Sequence, residues 1–193
     1  MQPEEYLKIT VVTFATFGHT RKQRDYSFLV EKIRKSCSQL GLRLLVLSFP
    51  DGEGKADFWD IERALPMRKG AGYWSWKPQV ILESLKLADT RYVLYLDSDL
   101  NILATPNISE IPEFSKNGVA VFKTNELLLD WTSKRCLKSF AIDEKSNFPI
   151  ISASAVLIDR ENLNAINFLI EWGRSIKDLN KLLDPFWSWR MFH

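Results

Sequence analysis

Cysteine is scarce in this chain. Only Cys37 and Cys136 occur in 193 residues, far apart and in no metal-binding or redox spacing. That excludes a disulfide-built scaffold and predicts two buried thiols in a reducing compartment. An excess of one charge sign is also lacking. The net charge of +2 gives no support for a nucleic-acid or anionic-membrane partner. No apolar run approaches the roughly 18 residues of a membrane span. Repeats and low-complexity tracts are missing, and positions 1–5 are polar and acidic, unlike a secretory leader. The expectation is a cytoplasmic protein without a membrane span.

Aromatic residues are plentiful, at 12% with seven Trp. They cluster at Tyr73-Trp74-Ser75-Trp76 and Phe186-Trp187-Ser188-Trp189. Exposed Trp stacks on sugar rings, but Trp is equally a large core residue. Hydrophobic content of 46% and charged content of 26% are those of an ordinary globular chain, with length for one core. Residues 1–193 are read as a single domain.

Positions 7–14 are apolar and β-branched and read as a buried strand. Positions 26–40 carry helical spacing, with Phe28, Leu29, Ile33, Cys37 and Leu40 on one side and Gly41 as the C-terminal cap. A second buried strand covers 42–49. This βαβ order implies parallel strands. Positions 55–65 read as helical, and 66–76 form a loop rich in glycine and aromatics. Pro78 suits the first turn of a helix running to 88. Strands follow at 92–96, 119–122 and 150–158. Thr132 would cap a helix over 133–140, and Asn162 would cap one reaching about 176 with Ile166, Leu169 and Ile170 inward. The expected class is α/β, a Rossmann-like domain with a mostly parallel central sheet flanked by helices.

Two motifs carry chemistry. The strand at 92–96 ends in Asp97-Ser98-Asp99. Side chains two apart at a strand end can project to one side, and like charges that close repel unless a cation joins them. Oxygen ligands suit Mg or Mn, which are commonly completed by substrate phosphates. The bland alternative is a polar strand terminus. The second motif is Arg68-Lys69-Gly70-Ala71-Gly72-Tyr73-Trp74-Ser75-Trp76-Lys77-Pro78. Its glycines allow close backbone approach, it feeds a helix N-terminus, and Arg68 and Lys77 add charge, which together make an anion site. For Trp74 the expectation is packing inward.

Gly70-x-Gly72-Tyr73-Trp74-x-Trp76-Lys77-Pro78 followed by Tyr95-Leu96-Asp97-Ser98-Asp99 resembles a group of bacterial and viral glycosyltransferases of the GT-A fold. Trp131-Thr132-x-Lys134-Arg135 resembles their Trp-x-Lys-Arg-Asp segment, with Cys136 where Asp is usual. Ile151-Ser152-Ala153-Ser154 resembles the strand lining their sugar site, with Glu171-Trp172 in the helix after it. The resemblance implies that Asp97 and Asp99 hold Mn or Mg against the diphosphate of a nucleotide sugar, a UDP-sugar by preference. Ser98 lies between them in the donor site. It implies that Thr13 and Phe14 meet the nucleoside base, that Arg68 and Lys77 neutralise the diphosphate, and that Ser152 and Ser154 border the sugar. Lys134 and Arg135 would add positive charge there or brace the acceptor. Members of the group continue beyond the equivalent of His193. A late histidine often completes the metal shell in such enzymes, and His193 could do so if the tail folds back. His19 reads as a solvated loop residue.

The expected reaction is sugar transfer from the donor to a hydroxyl of a glycan or other acceptor, with Asp99 and Lys77 at the chemistry. An inverting route needs a general base, for which Asp130, Asp143 and Asp184 are candidates. Two other readings stay open. A phosphatase of the haloacid-dehalogenase type also places Asp-x-Asp after a strand, but Asn101 stands where its pattern has Thr or Val. A truncated donor-binding protein would bind without efficient transfer.

Overall fold

The computed structural model describes residues 9–16, 25–49, 74, 76–103, 110, 112–113, 115, 117–132, 134–143 and 148–176. The expected helix at 55–65, most of the loop before Trp76, and positions 19, 68, 184 and 193 lie outside the described residues.

Strand β1 (Ile9–Thr16) leads into helix α1 (Ser27–Gln39) and strand β2 (Arg43–Phe49). After helix α2 (Lys77–Leu87) comes β3 (Tyr92–Leu96), then β4 (Val119–Leu127). Two short helices, α3 (Leu128–Trp131) and α4 (Lys134–Ser139), lead to β5 (Pro149–Asp159) and α5 (Leu163–Ile176). The expected α/β class is what the chain forms. One five-stranded sheet has the order β2-β1-β3-β5-β4. β1 pairs in parallel with β2 and β3, while β5 runs antiparallel to both β3 and β4. Among the described strands four therefore share a direction and β5 is reversed.

The strands alternate between two cores, because successive side chains point to opposite faces. Val12, Phe14, Leu45, Leu47, Tyr95 and Val156 pack on one face against Val80, Ile81 and Leu85 of α2 and Ala165 and Leu169 of α5. Val11, Leu94, Leu96 and Leu157 pack on the other against Ile33 and Cys37 of α1. Thus α1 covers one face and α2 with α5 the other. Between β1 and β3 the strand order reverses, since β2 lies on one side of β1 and β3 on its other side. In open α/β sheets such a switch point opens a crevice at the carboxyl ends of the strands.

Local signals explain the helix ends. Gly41 takes φ +66°, and the Leu42 N–H donates to the Cys37 carbonyl at 2.9 Å, the left-handed stop expected after α1. Asn162 caps α5 by accepting from the Asn164 N–H at 2.9 Å.

Several expectations need correction. Phe28 is exposed, and the inward stripe of α1 is Val30, Ile33 and Cys37. Cys136 is half-buried, so only Cys37 is a buried thiol, and burial pushes it up to about 11. Strand β4 runs five residues past 122. Its second half is exposed except at half-buried Thr124 and carries Lys123, Thr124, Asn125 and Glu126, so its polarity hides its strand character.

Candidate active site

The carboxyl end of β3 delivers Asp97 into the crevice beside β1. Tyr95 lies two residues earlier on the α2 face, fully buried, and its hydroxyl donates to Asp97 Oδ1 at 2.6 Å. Lys77 opens α2 on the same face and is 4% exposed. Its ammonium donates to Asp97 Oδ2 at 2.7 Å and to the Ala153 carbonyl at 3.1 Å. The Asp97 backbone N–H donates to the Ser154 carbonyl at 2.8 Å. Both oxygens of Asp97 and its N–H are thus fixed by three different elements.

Aromatic rings support this cluster from below. Phe14 and Trp76 have ring centroids 4.2 Å apart, and Trp76 meets the edge of Tyr95 at 6.5 Å. The Lys77 ammonium lies 5.6 Å from the Tyr95 ring and 6.0 Å from that of Trp76, within reach of cation–π attraction. Burial raises the Tyr95 hydroxyl well above its ordinary range, and the Asp97 charge, the Asp97 hydrogen bond and the Asp99 charge raise it further. The phenol therefore keeps its proton and remains a donor.

Asp99 differs from Asp97. It is exposed in the turn after β3, which the Leu100 N–H closes on the Asp97 carbonyl at 3.0 Å. Ser98 between them is half-buried. Because β5 is antiparallel and longer than β3, it overruns the carboxyl end of β3, with Ala155 opposite Leu96. Ser152 and Ser154 on that overhang are half-buried, and the Ser154 N–H donates to Ser152 Oγ at 3.2 Å. Alternation from Val156 puts Ser154 on the Tyr95 face, and the register of β5 against β4 breaks before Ser152, from Val121 opposite Val156 to Phe122 opposite Ser152. Lys77, Asp97 and Ser154 therefore share one face, with exposed Asp99 two residues beyond Asp97.

Other expected site residues are placed differently. Phe14 is 6% exposed and packs in the core against Trp76, so its ring is not presented for stacking. Thr13 lies on the α1 face, fully buried, with no hydrogen-bond partner for Oγ1 among the described residues. Lys77, expected at a diphosphate, is turned onto Asp97. Trp74 does not pack inward: it is 43% exposed, in a left-handed conformation at φ +57°. Its carbonyl accepts the Lys77 N–H at 3.1 Å, which ties it to the start of α2. Asp130 is exposed on α3. Asp143 is exposed after α4 and lines a pocket of about 540 Å³ with Lys134, Arg135, Lys138, Ala141 and Ile142.

Sequence reasoning overlooked Tyr95 as a functional side chain. Its signal was present: a hydroxyl-bearing residue two before an aspartate on a buried strand faces the same way. Nothing in the sequence announced the Ala153 carbonyl.

The donor set is made of hard oxygens, from Asp97, Asp99 and the neighbouring serines, and suits Mg or Mn rather than a thiolate-seeking metal. Among the described residues no three His, Cys, Asp or Glu side chains converge on one point. Among the described residues no helix is long and apolar enough to cross a membrane.

No protein-family model matches the chain, and no curated protein matches it. Solved structures do. A glycosyltransferase involved in the glycosylation of the major capsid of PBCV-1 is similar over 88% of this chain and 67% of its own, at 12% identity and a TM-score of 0.49. The galactosyltransferase LgtC, with donor and acceptor sugar analogues, is similar over 91% of this chain and 66% of its own, at 14% identity and a TM-score of 0.44. An active-site mutant of LgtC is similar over the same shares, at 15% identity and a TM-score of 0.44.

Proposed function

We propose that the chain is a metal-dependent glycosyltransferase of the GT-A type, which binds a nucleotide sugar, a UDP-sugar first among candidates, at the carboxyl ends of β1 and β3. One observation carries this reading. An exposed aspartate, Asp99, stands beside an immobilised one, Asp97, at the switch point of an α/β sheet. A diphosphate needs charge compensation in such a crevice, and a divalent ion held by carboxylates supplies it.

In this reading Mn or Mg, when bound, stabilises negative charge on the departing diphosphate. Asp99 offers the direct carboxylate ligand, and Asp97 offers the lone pairs left over from Lys77 and Tyr95. Ser152 and Ser154 border the sugar. The bond from the anomeric carbon to the diphosphate breaks, a bond to the acceptor oxygen forms, and the acceptor proton passes to a base. Asp130 and Asp143 are the exposed candidates for that base. Lys134, Arg135 and Lys138 give the Asp143 pocket a positive wall for an acceptor that bears negative charge.

A turnover assay with several UDP-sugars and Mn, scored for both transfer and hydrolysis, tests the reading. Release of UDP that depends on the metal and is lost in Asp99→Ala is expected. The absence of both turnover and UDP binding, with every donor tried, would sink it. UDP binding without turnover would favour a donor-binding protein instead.

A further inference from the structure

Two unpaired carboxylates at the end of a strand would attract a divalent ion on their own. This site is not built that way. The Lys77 ammonium lies 2.7 Å from Asp97 Oδ2, and the two side chains are 5% and 20% exposed. The ammonium is fixed by the Ala153 carbonyl at 3.1 Å and flanked by the Tyr95 and Trp76 rings. Lys77 is the first residue of α2, and Pro78 follows it, so the side chain starts from a rigid backbone.

We propose that Lys77 is a built-in counter-ion that keeps the aspartate pair from taking up a divalent cation until a nucleotide diphosphate is present. The inference rests on the metal and nucleotide reading above and deepens it. One positive and two negative charges leave a single net negative charge on Lys77, Asp97 and Asp99. A cation approaching Asp97 meets an ammonium already bound there, and like charges a few ångströms apart in a half-buried setting oppose each other strongly. Asp97 Oδ1 is engaged as well, by Tyr95 at 2.6 Å. What remains for a free cation is the exposed carboxylate of Asp99 and the spare lone pairs of Asp97, since no third His, Cys, Asp or Glu side chain joins the pair among the described residues. A diphosphate adds negative charge and several oxygen ligands together, which reverses the balance. Lys77 is thus a positioning residue: it holds Asp97 in place and sets the order in which metal and nucleotide enter.

Mn(II) binding, followed by the paramagnetic resonance signal of the free ion with and without UDP, tests this in wild type, Lys77→Met, Lys77→Gln and Lys77→Arg. Lys77→Gln keeps hydrogen-bond donors toward Asp97 and Ala153, and so reports on charge even if Lys77→Met does not fold. For the wild type, weak binding of Mn(II) alone and a gain of about tenfold or more with saturating UDP is expected. The neutral variants should bind nucleotide-free Mn(II) about tenfold more tightly than wild type, and Mn(II) should raise their melting temperature more. Lys77→Arg should stay near wild type. Neutral variants that bind Mn(II) no better than wild type would overturn the inference while leaving metal use intact. Tight binding by nucleotide-free wild type would do the same. A wild type that binds no Mn(II) even with UDP would overturn both the inference and the metal reading.

Discussion

The Tyr95 hydroxyl donates to Asp97 Oδ1 at 2.6 Å from a fully buried ring. Replacing Tyr95 by Phe keeps the ring beside Trp76 and Lys77 and removes only that donor. A hydrogen bond to a charged group is worth about 1.5–3 kcal/mol. Tyr95→Phe should therefore lower the unfolding free energy by about 2 kcal/mol, as urea denaturation would measure it. An unchanged midpoint would show that the bond contributes nothing to the fold.

The two aspartates should separate in their effects on stability. Asp97→Ala strands a buried ammonium, and breaking a buried pair by removing one partner costs about 3–5 kcal/mol. Asp99→Ala removes an exposed side chain, and surface changes of that kind stay within about 0.5 kcal/mol. Chemical denaturation of both variants checks this. Equal losses would contradict the assignment of Asp97 as the immobilised member and Asp99 as the exposed one.

A pH-dependent element sits at the opposite end of the sheet. Asp159 ends β5, 5% exposed, with Arg91 Nη2 at 2.7 Å. Burial pushes its carboxyl up, but the Arg91 hydrogen bond, the Glu161 N–H and the Arg91 charge outweigh that and hold it below the ordinary carboxylate range. The folded state thus favours the ionised form. Its stabilisation is complete above the unfolded value of about 3.9 and is lost as pH falls through the lower folded value. Asp159→Asn should lower the melting temperature at pH 7 and flatten its decline below about pH 4. A melting curve across pH 2–7 with the same acid limb as wild type would refute this.

Much of the sheet was legible because its strands are buried on both faces and read as continuous apolar runs. β3 was located to the residue, and Asn162 announced α5 through its side chain. The failures share a cause. The apolar signal of β4 stops at 122 because an exposed edge strand carries polar residues beyond it. Spacing alone puts Phe28 inside, because it does not say which residues of a stripe meet the sheet. Trp74 was expected in the core, yet its left-handed backbone turns it outward. At the site, the aspartate pair was legible as a motif, and Lys77 as a charge. That the two bind each other was not, because positions 77 and 97 are joined only by the crossover of α2 onto β3.

Calorimetric titration of UDP into the protein with Mn(II), for wild type and Asp99→Ala side by side, tests the central claim most directly. Metal-dependent UDP binding in wild type that weakens at least about tenfold in Asp99→Ala, or about 1.4 kcal/mol, is the predicted result. UDP binding that is equal in the two proteins, or indifferent to the metal, would contradict it.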